Sequence, residues 1–148
     1  MADDGFRLER FVEAQDRDGT YERALTELRQ GRKRGHWIWF IFPQIRGLGS
    51  SETARFYAIS SLAEAAAYLE HPVLGPRLAT AAAALLELPE RDPDAILGEL
   101  DAIKLRSSMT LFARVDGAAP LFERVLDEFF AGAADRATEE RLSGSRTG

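Results

Sequence analysis

The apolar residues of this chain recur at helical spacing between breaks marked by glycine or proline, and the pattern predicts helices almost throughout. Phe6, Leu8, Phe11, Val12 and Ala14 predict a first helix over 6–15, followed by a turn at Asp16-Arg17-Asp18-Gly19. Tyr21, Ala24, Leu25 and Leu28 form the stripe of a second helix, capped by Asp18 or Thr20 and stopped at Gly31. A short helix is expected to end at Tyr57. Ser61-Leu62-Ala63-Glu64 has the capping-box pattern and opens a helix to about Leu69. Pro72 and Pro76 suit helix starts and not interiors, so an alanine-rich helix is placed over 76–88. Asp92-Pro93 pairs a cap with proline at the first helical position, for a short helix through Leu97. Ile103, Leu105, Met109, Leu111, Phe112 and Val115 fit a buried helix. Leu121, Phe122, Val125, Leu126, Phe129 and Phe130 fit another over 119–131, ended by Gly132, and residues 138–142 add one turn.

One stretch escapes the pattern. His36-Trp37-Ile38-Trp39-Phe40-Ile41-Phe42-Pro43-Gln44 holds both tryptophans and is apolar on every side, whether drawn as strand or as helix. It must therefore be buried on most sides. Pro43 ends it, because Phe42 is pushed out of helical backbone angles. It reads either as the hydrophobic strut of the fold or as a pocket wall, with rings stacking a planar ligand and His36 or Gln44 reading its edge. Strand character is confined to this stretch. The expectation is an all-α fold, a compact single-domain bundle of about six to eight helices around a central aromatic segment. The domain is placed over 6–142, with disordered ends at 1–5 and 143–148.

Composition adds exclusions. The 148 residues are 45% hydrophobic and 29% charged, which is ordinary for a globular domain. There is no cysteine, hence no disulfide, thiolate metal site or cysteine nucleophile. The acidic N-terminal residues lack the apolar core of a secretion signal, and no apolar run reaches membrane-spanning length, so a cytoplasmic protein is expected. A net charge of −5 argues against general nucleic-acid binding and leaves Arg32-Lys33-Arg34 as the one local candidate. That cluster reads most simply as a helix end, and otherwise as a phosphate contact beside the aromatic stretch. Of 19 basic residues only Lys33 and Lys104 are lysine.

Candidate chemistry concentrates in the second informative stretch, Asp101 to Phe112. On a helix Lys104, Ser107, Ser108 and Leu111 share a face, which makes a donor surface for an anion or a hydroxyl, or else a solvated face with Asp101 paired to Lys104 or Arg106. The Gly47-Leu48-Gly49 loop has neither dinucleotide nor P-loop spacing. No HExxH, GxSxG or EF-hand pattern is present, and the two histidines do not have metal-ligand spacing, so no metal and no cofactor is assigned. Glu13, Glu52 and Asp101 are carboxylates available for acid–base work.

Several of these stretches occur together in a known order. They are Arg10-Phe11-Val12-Glu13-Ala14-Gln15, the aromatic segment 36–44, Gly47-Leu48-Gly49, residues 71–78, Lys104 to Phe112, and Phe130-Ala131-Gly132. The set resembles the bacterial domain-of-unknown-function family 1810, over about residues 6–142. The resemblance implies a mainly helical single domain and carries no activity to transfer. Members are sometimes labelled calpastatin-like, but calpastatin inhibitory segments are disordered and proline-rich, unlike this chain. A fainter similarity, at the level of size and aromatic distribution, is to the helical NADAR proteins, which act on ADP-ribose-type and related N-glycosidic compounds.

Two readings follow. In the first the domain binds or hydrolyses a small phosphorylated nucleoside-like ligand of ADP-ribose or N-glycoside type. Trp37 or Trp39 stacks the base, and His36 or Gln44 reads its edge. Lys104, Arg106, Ser107 and Ser108 hold phosphate or ribose, with Arg77 and Lys33 adding positive charge, and Glu52 or Asp101 serves catalysis. In the second it is a non-enzymatic interaction or homodimerisation module, with the aromatic stretch as core or interface. The first requires that the two informative segments meet in space.

Overall fold

The structure is a computed structural model. It describes residues 4–147, with side chains for residues 5–143; of the ends expected to be disordered, 1–3 and 148 lie outside the described residues, whereas Asp4 and Gly5 belong to a 3-10 turn and 143–147 continue the last helix. The helices are α1 (Glu9–Asp16), α2 (Thr20–Gln30), α3 (Ile38–Ile41), α4 (Glu52–Phe56), α5 (Leu62–Glu70), α6 (Leu74–Leu86), α7 (Pro93–Leu97), α8 (Glu99–Ala113), α9 (Leu121–Phe130) and α10 (Arg136–Thr147). Among the described residues there is no strand, only an isolated parallel bridge between Ile45 and Ile59. The fold is all-α.

Local chemistry explains most boundaries. Ser61 Oγ accepts the Glu64 amide at 3.1 Å and Ser51 Oγ accepts that of Ala54, so hydroxyls cap α5 and α4. Asp92 Oδ1 caps α7 at the Asp94 amide, with Pro93 at its first position. Gly31 closes α2 in the left-handed conformation, φ 74°. Five boundaries differ from the sequence pattern. Neither Asp18 nor Thr20 caps α2, which starts from left-handed Gly19 with no side-chain cap, while Thr20 Oγ1 donates to Arg17 O. The first helix is split, with a 3-10 turn at Asp4–Phe6 and α1 starting only at Glu9, because Arg7 sits at φ 56°. His71 Nδ1 accepts the Val73 and Leu74 amides at 3.1 and 3.3 Å, and α6 starts at Leu74, before Pro76. The chain leaves α9 through left-handed Ala131, φ 54°, one residue ahead of the expected glycine. The turn expected over 138–142 is part of the longer α10.

α8 is the central strut. Ala102, Leu105 and every residue from Ser107 to Phe112 are buried, and it packs against α3, α5, α7, α9 and α10. Beyond its first turns the helix is surrounded and needs no polar face, which is why its apolar residues show no clean stripe. The aromatic segment forms the four-residue α3 with irregular flanks and lies between α1 and α8, with Trp37, Ile38, Ile41 and Phe42 buried.

Polar groups inside the domain are paired with few exceptions. Arg10 meets Glu64 at 3.0 Å and donates to the carbonyls of Phe6, Phe56 and Ala58, which ties α1 to the chain entering α5. Gln15 donates to Phe40 O at 2.8 Å and to Tyr68 Oη at 3.3 Å. Burial pushes the Tyr68 phenol far above its ordinary value, so it stays neutral in this core.

Candidate functional site

The site begins with Glu27 on α2. Its Oε1 accepts the Arg34 amide at 2.8 Å, the Gly35 amide at 3.0 Å and Trp37 Nε1 at 2.8 Å, and so folds the loop 31–37 back over the helix. Burial alone would raise the Glu27 carboxyl. The Gly35, Arg34 and Trp37 hydrogen bonds and the nearby Lys33 charge outweigh it and hold the group below the ordinary carboxylate range.

The folded loop directs Lys33 inward. Its amide bonds Ile96 O at 2.8 Å, its ammonium lies 4.9 Å from the Trp37 ring centroid, and it reaches Asp101 Oδ2 at 2.7 Å. Asp101 Oδ1 takes Lys104 Nζ at 3.1 Å, and Lys104 Nζ lies 5.4 Å from the Trp39 ring centroid. The two lysines of the protein thus share one carboxylate, each over a different tryptophan. Burial would raise the Asp101 carboxyl, but hydrogen bonds from Lys33 and Lys104, with their charges, hold it below its ordinary value.

Beyond Lys104 the surface opens. Trp39, Gln44, Ser50, Ser51 and Lys104 line a groove of about 360 Å³ between α8 and the chain leading into α4. Leu100 and Ile103 stand on its rim, 73% and 54% exposed. The arrangement can stack a planar group on Trp39, hydrogen-bond it through Gln44 and the serine hydroxyls, and attract negative charge through Lys104.

The sequence candidates divide accordingly. Trp39, Gln44 and Lys104 meet in the groove. Trp37 is buried with its N–H satisfied by Glu27, and His36 is exposed and is not among the residues lining the groove. The other proposed donors are not brought there. Arg106 donates to Ala133 O and Ala134 O, tying α8 to the chain after α9. Ser107 Oγ bonds Ile103 O within its own helix, and Ser108 is fully buried with no hydrogen-bond partner for its hydroxyl among the described residues. Arg77 pairs with Asp16 at 2.8 Å, bonds Gln15 and covers the Tyr21 ring. The expected Lys104–Ser107–Ser108 donor face does not form, because α8 is surrounded and only its first turns reach the surface. Among the described residues no three His, Asp or Glu side chains converge as metal ligands. Glu27, Ser50 and Ser51 were not singled out by the sequence. Glu27 acts on residues seven to ten positions away, a spacing with no periodic signature.

Residues 5–142 match the family model described as "Protein of unknown function (DUF1810)". The chain belongs to this family. It is also similar to the conserved hypothetical protein Rv1873 from Mycobacterium tuberculosis, whose crystal structure it matches with 49% identity and a TM-score of 0.90, over 93% of this chain and 97% of that one. None of the curated proteins matches. As a member of the DUF1810 family the chain inherits a fold without an assigned activity, and the groove at Trp39 has to be read on its own chemistry. No helix among the described residues is long and apolar enough to cross a membrane.

Proposed function

We propose that this domain binds a small nucleoside-like ligand, with its planar group on Trp39 in the groove between α8 and α4. The observation that carries the reading is the half-buried Trp39 ring with the Lys104 ammonium 5.4 Å from its centroid, in a groove also lined by Gln44, Ser50 and Ser51. The reading is binding and not hydrolysis. Of the two carboxylates offered for catalysis, Glu52 is exposed and is not among the residues lining the groove, and Asp101 is held between two ammonium groups, so its charge is directed at Lys33 and Lys104 and away from any cationic sugar centre.

The test is a thermal-shift titration with adenosine, ADP and ADP-ribose, repeated on Trp39→Ala and Lys104→Ala. A ligand specific to the native state at a hundred times its Kd adds about 2.7 kcal/mol of stability. A dose-dependent rise in Tm that both substitutions remove supports the reading; no rise with any of the three compounds refutes it.

A second reading has its own observation. Leu100, Ile103 and Phe56 are the exposed large hydrophobic residues of the described chain, and the first two border the groove. A partner surface, including a second copy, would cover them. Sedimentation of the wild type beside Ile103→Glu tests it: a dimer that the substitution dissociates favours this reading, and a monomer at high concentration removes self-association.

A further inference from the structure

On the other side of Leu48 lies a second recess, of about 720 Å³, walled by Ile45, Arg46, Ser60, Glu140 and Arg141. Leu48 lines both this recess and the Trp39 groove. Arg141 of α10 lays its guanidinium over Gly47: Nη2 donates to Gly47 O at 3.1 Å, and a Cβ at position 47 would come within 2.6 Å of Arg141 Cζ. Gly47 is also at φ 98°, so glycine is required there twice, for the backbone angle and for the guanidinium. Arg46 stands on a fixed backbone, since its amide bonds Ile59 O and the Ile59 amide bonds Gln44 O, both at 2.8 Å. Its guanidinium is exposed and has no ion pair or hydrogen bond among the described residues. The recess is thus lined by two arginines against one glutamate, and Glu140 already faces Arg136 at 3.6 Å.

We propose that this recess is an anion subsite that takes a phosphoryl group. Leu48 divides it from the groove where the planar part of the same ligand rests on Trp39. The anion subsite stands on the arginine pair alone; only the planar part rests on the reading given above. A guanidinium offers paired N–H donors that match phosphate oxygens, and one already positioned loses less freedom on binding. The sequence placed phosphate on Lys104, Arg106, Ser107 and Ser108. To Lys104 the geometry adds residues 95 positions apart, Arg46 and Arg141, and leaves out Arg106, Ser107 and Ser108.

The experiment is calorimetric titration at fixed ionic strength with inorganic pyrophosphate, adenosine and ADP as separate probes. Pyrophosphate is expected to bind the wild type and to bind about tenfold more weakly to Arg46→Gln, whose side chain has no structural bond to lose. Trp39→Phe should leave pyrophosphate affinity unchanged, and Glu140→Gln should increase it. Pyrophosphate binding that Arg46→Gln does not weaken, or no binding at millimolar concentration, overturns the subsite. Adenosine reports on the groove separately. If it fails to bind while pyrophosphate binding depends on Arg46, the Trp39 reading falls and the anion subsite stands. ADP is expected to bind more tightly than either fragment and to lose affinity in both Arg46→Gln and Trp39→Ala.

Discussion

Two tryptophans, two positions apart, each lie under a lysine and have opposite surroundings. Trp37 is 2% exposed, its N–H is held by Glu27, and the Lys33 side chain over its ring is only 7% exposed. Trp39 is half-buried, opens onto a groove, and has over its ring a lysine that is 27% exposed. Asp101 serves both lysines. The same pair of residue types is a structural lock in one place and an accessible surface in the other. The difference comes from the chain around each. Loop 31–37 wraps Trp37 because Glu27 gathers three donors, whereas Trp39 faces residues 48–54, which meet α8 without sealing against it.

The largest expected contrast is between the rings themselves. Trp37→Ala should cost about 3–5 kcal/mol, as for other buried aromatics, because it leaves a closed cavity. Trp39→Ala should cost about 1–2 kcal/mol, since an open site loses less area and leaves no sealed void. Urea denaturation of both variants at constant m-value measures this. Equal costs would mean that Trp39 is as much a part of the core as Trp37.

Next comes the lock. Glu27→Ala leaves the buried Trp37 N–H and two loop amides without their acceptor, and should cost about 1–3 kcal/mol. Lys33→Ala should fall in the same range, because it removes a buried ammonium from Asp101. Neither substitution touches the groove lining, so ligand-dependent thermal shifts should persist in both. If those shifts disappear while the variants stay folded, the two tryptophan sites are energetically one.

The acid limb of stability tests the carboxylates that hold this region. Glu27 and Asp101 both lie below their ordinary values in the folded chain, Glu27 through the Gly35, Arg34 and Trp37 hydrogen bonds against the opposing effect of burial, Asp101 through Lys33 and Lys104 against the same effect. A depressed carboxyl contributes fully above its unfolded value, near pH 4, and that contribution is lost as pH falls through the folded value. Stability should therefore drop on acidification below about pH 4, and the drop should be shallower in Asp101→Asn, although that variant starts less stable. An unchanged slope would show that the two lysines do not hold Asp101 ionised.

How much of this was legible in the sequence follows the range of each interaction. Caps and stops are local, so Ser61, Asp92-Pro93 and Gly31 could be read directly, and the structure places them where the pattern did. The aromatic segment could be read as strut or as pocket wall, but not which ring takes which role, because residues 48–54 decide which ring is covered. The donor face of α8 was misread for a similar reason. Helical spacing aligned Lys104, Ser107 and Ser108, yet spacing does not say which turns of a helix other helices surround. Contacts across 46 to 94 positions, such as Arg10 to Phe56 or Arg141 to Gly47, leave no periodic trace at all.

The smallest effect on stability is expected at Lys104, and it bears most directly on function. Its ion pair with Asp101 is partly solvated, so Lys104→Ala should change unfolding free energy by less than about 1 kcal/mol. Asp101 keeps Lys33 as its partner, so no buried charge is left alone. If the groove is a ligand site, this nearly silent substitution should abolish the thermal shift given by ADP while leaving the unliganded Tm close to wild type. If Lys104 serves only to steady α8 against Trp39, the two quantities should move together: Tm falls, and whatever ligand response exists survives in proportion. The separation of the two readouts, and not the size of either, decides whether Trp39 differs from Trp37 in function as well as in exposure.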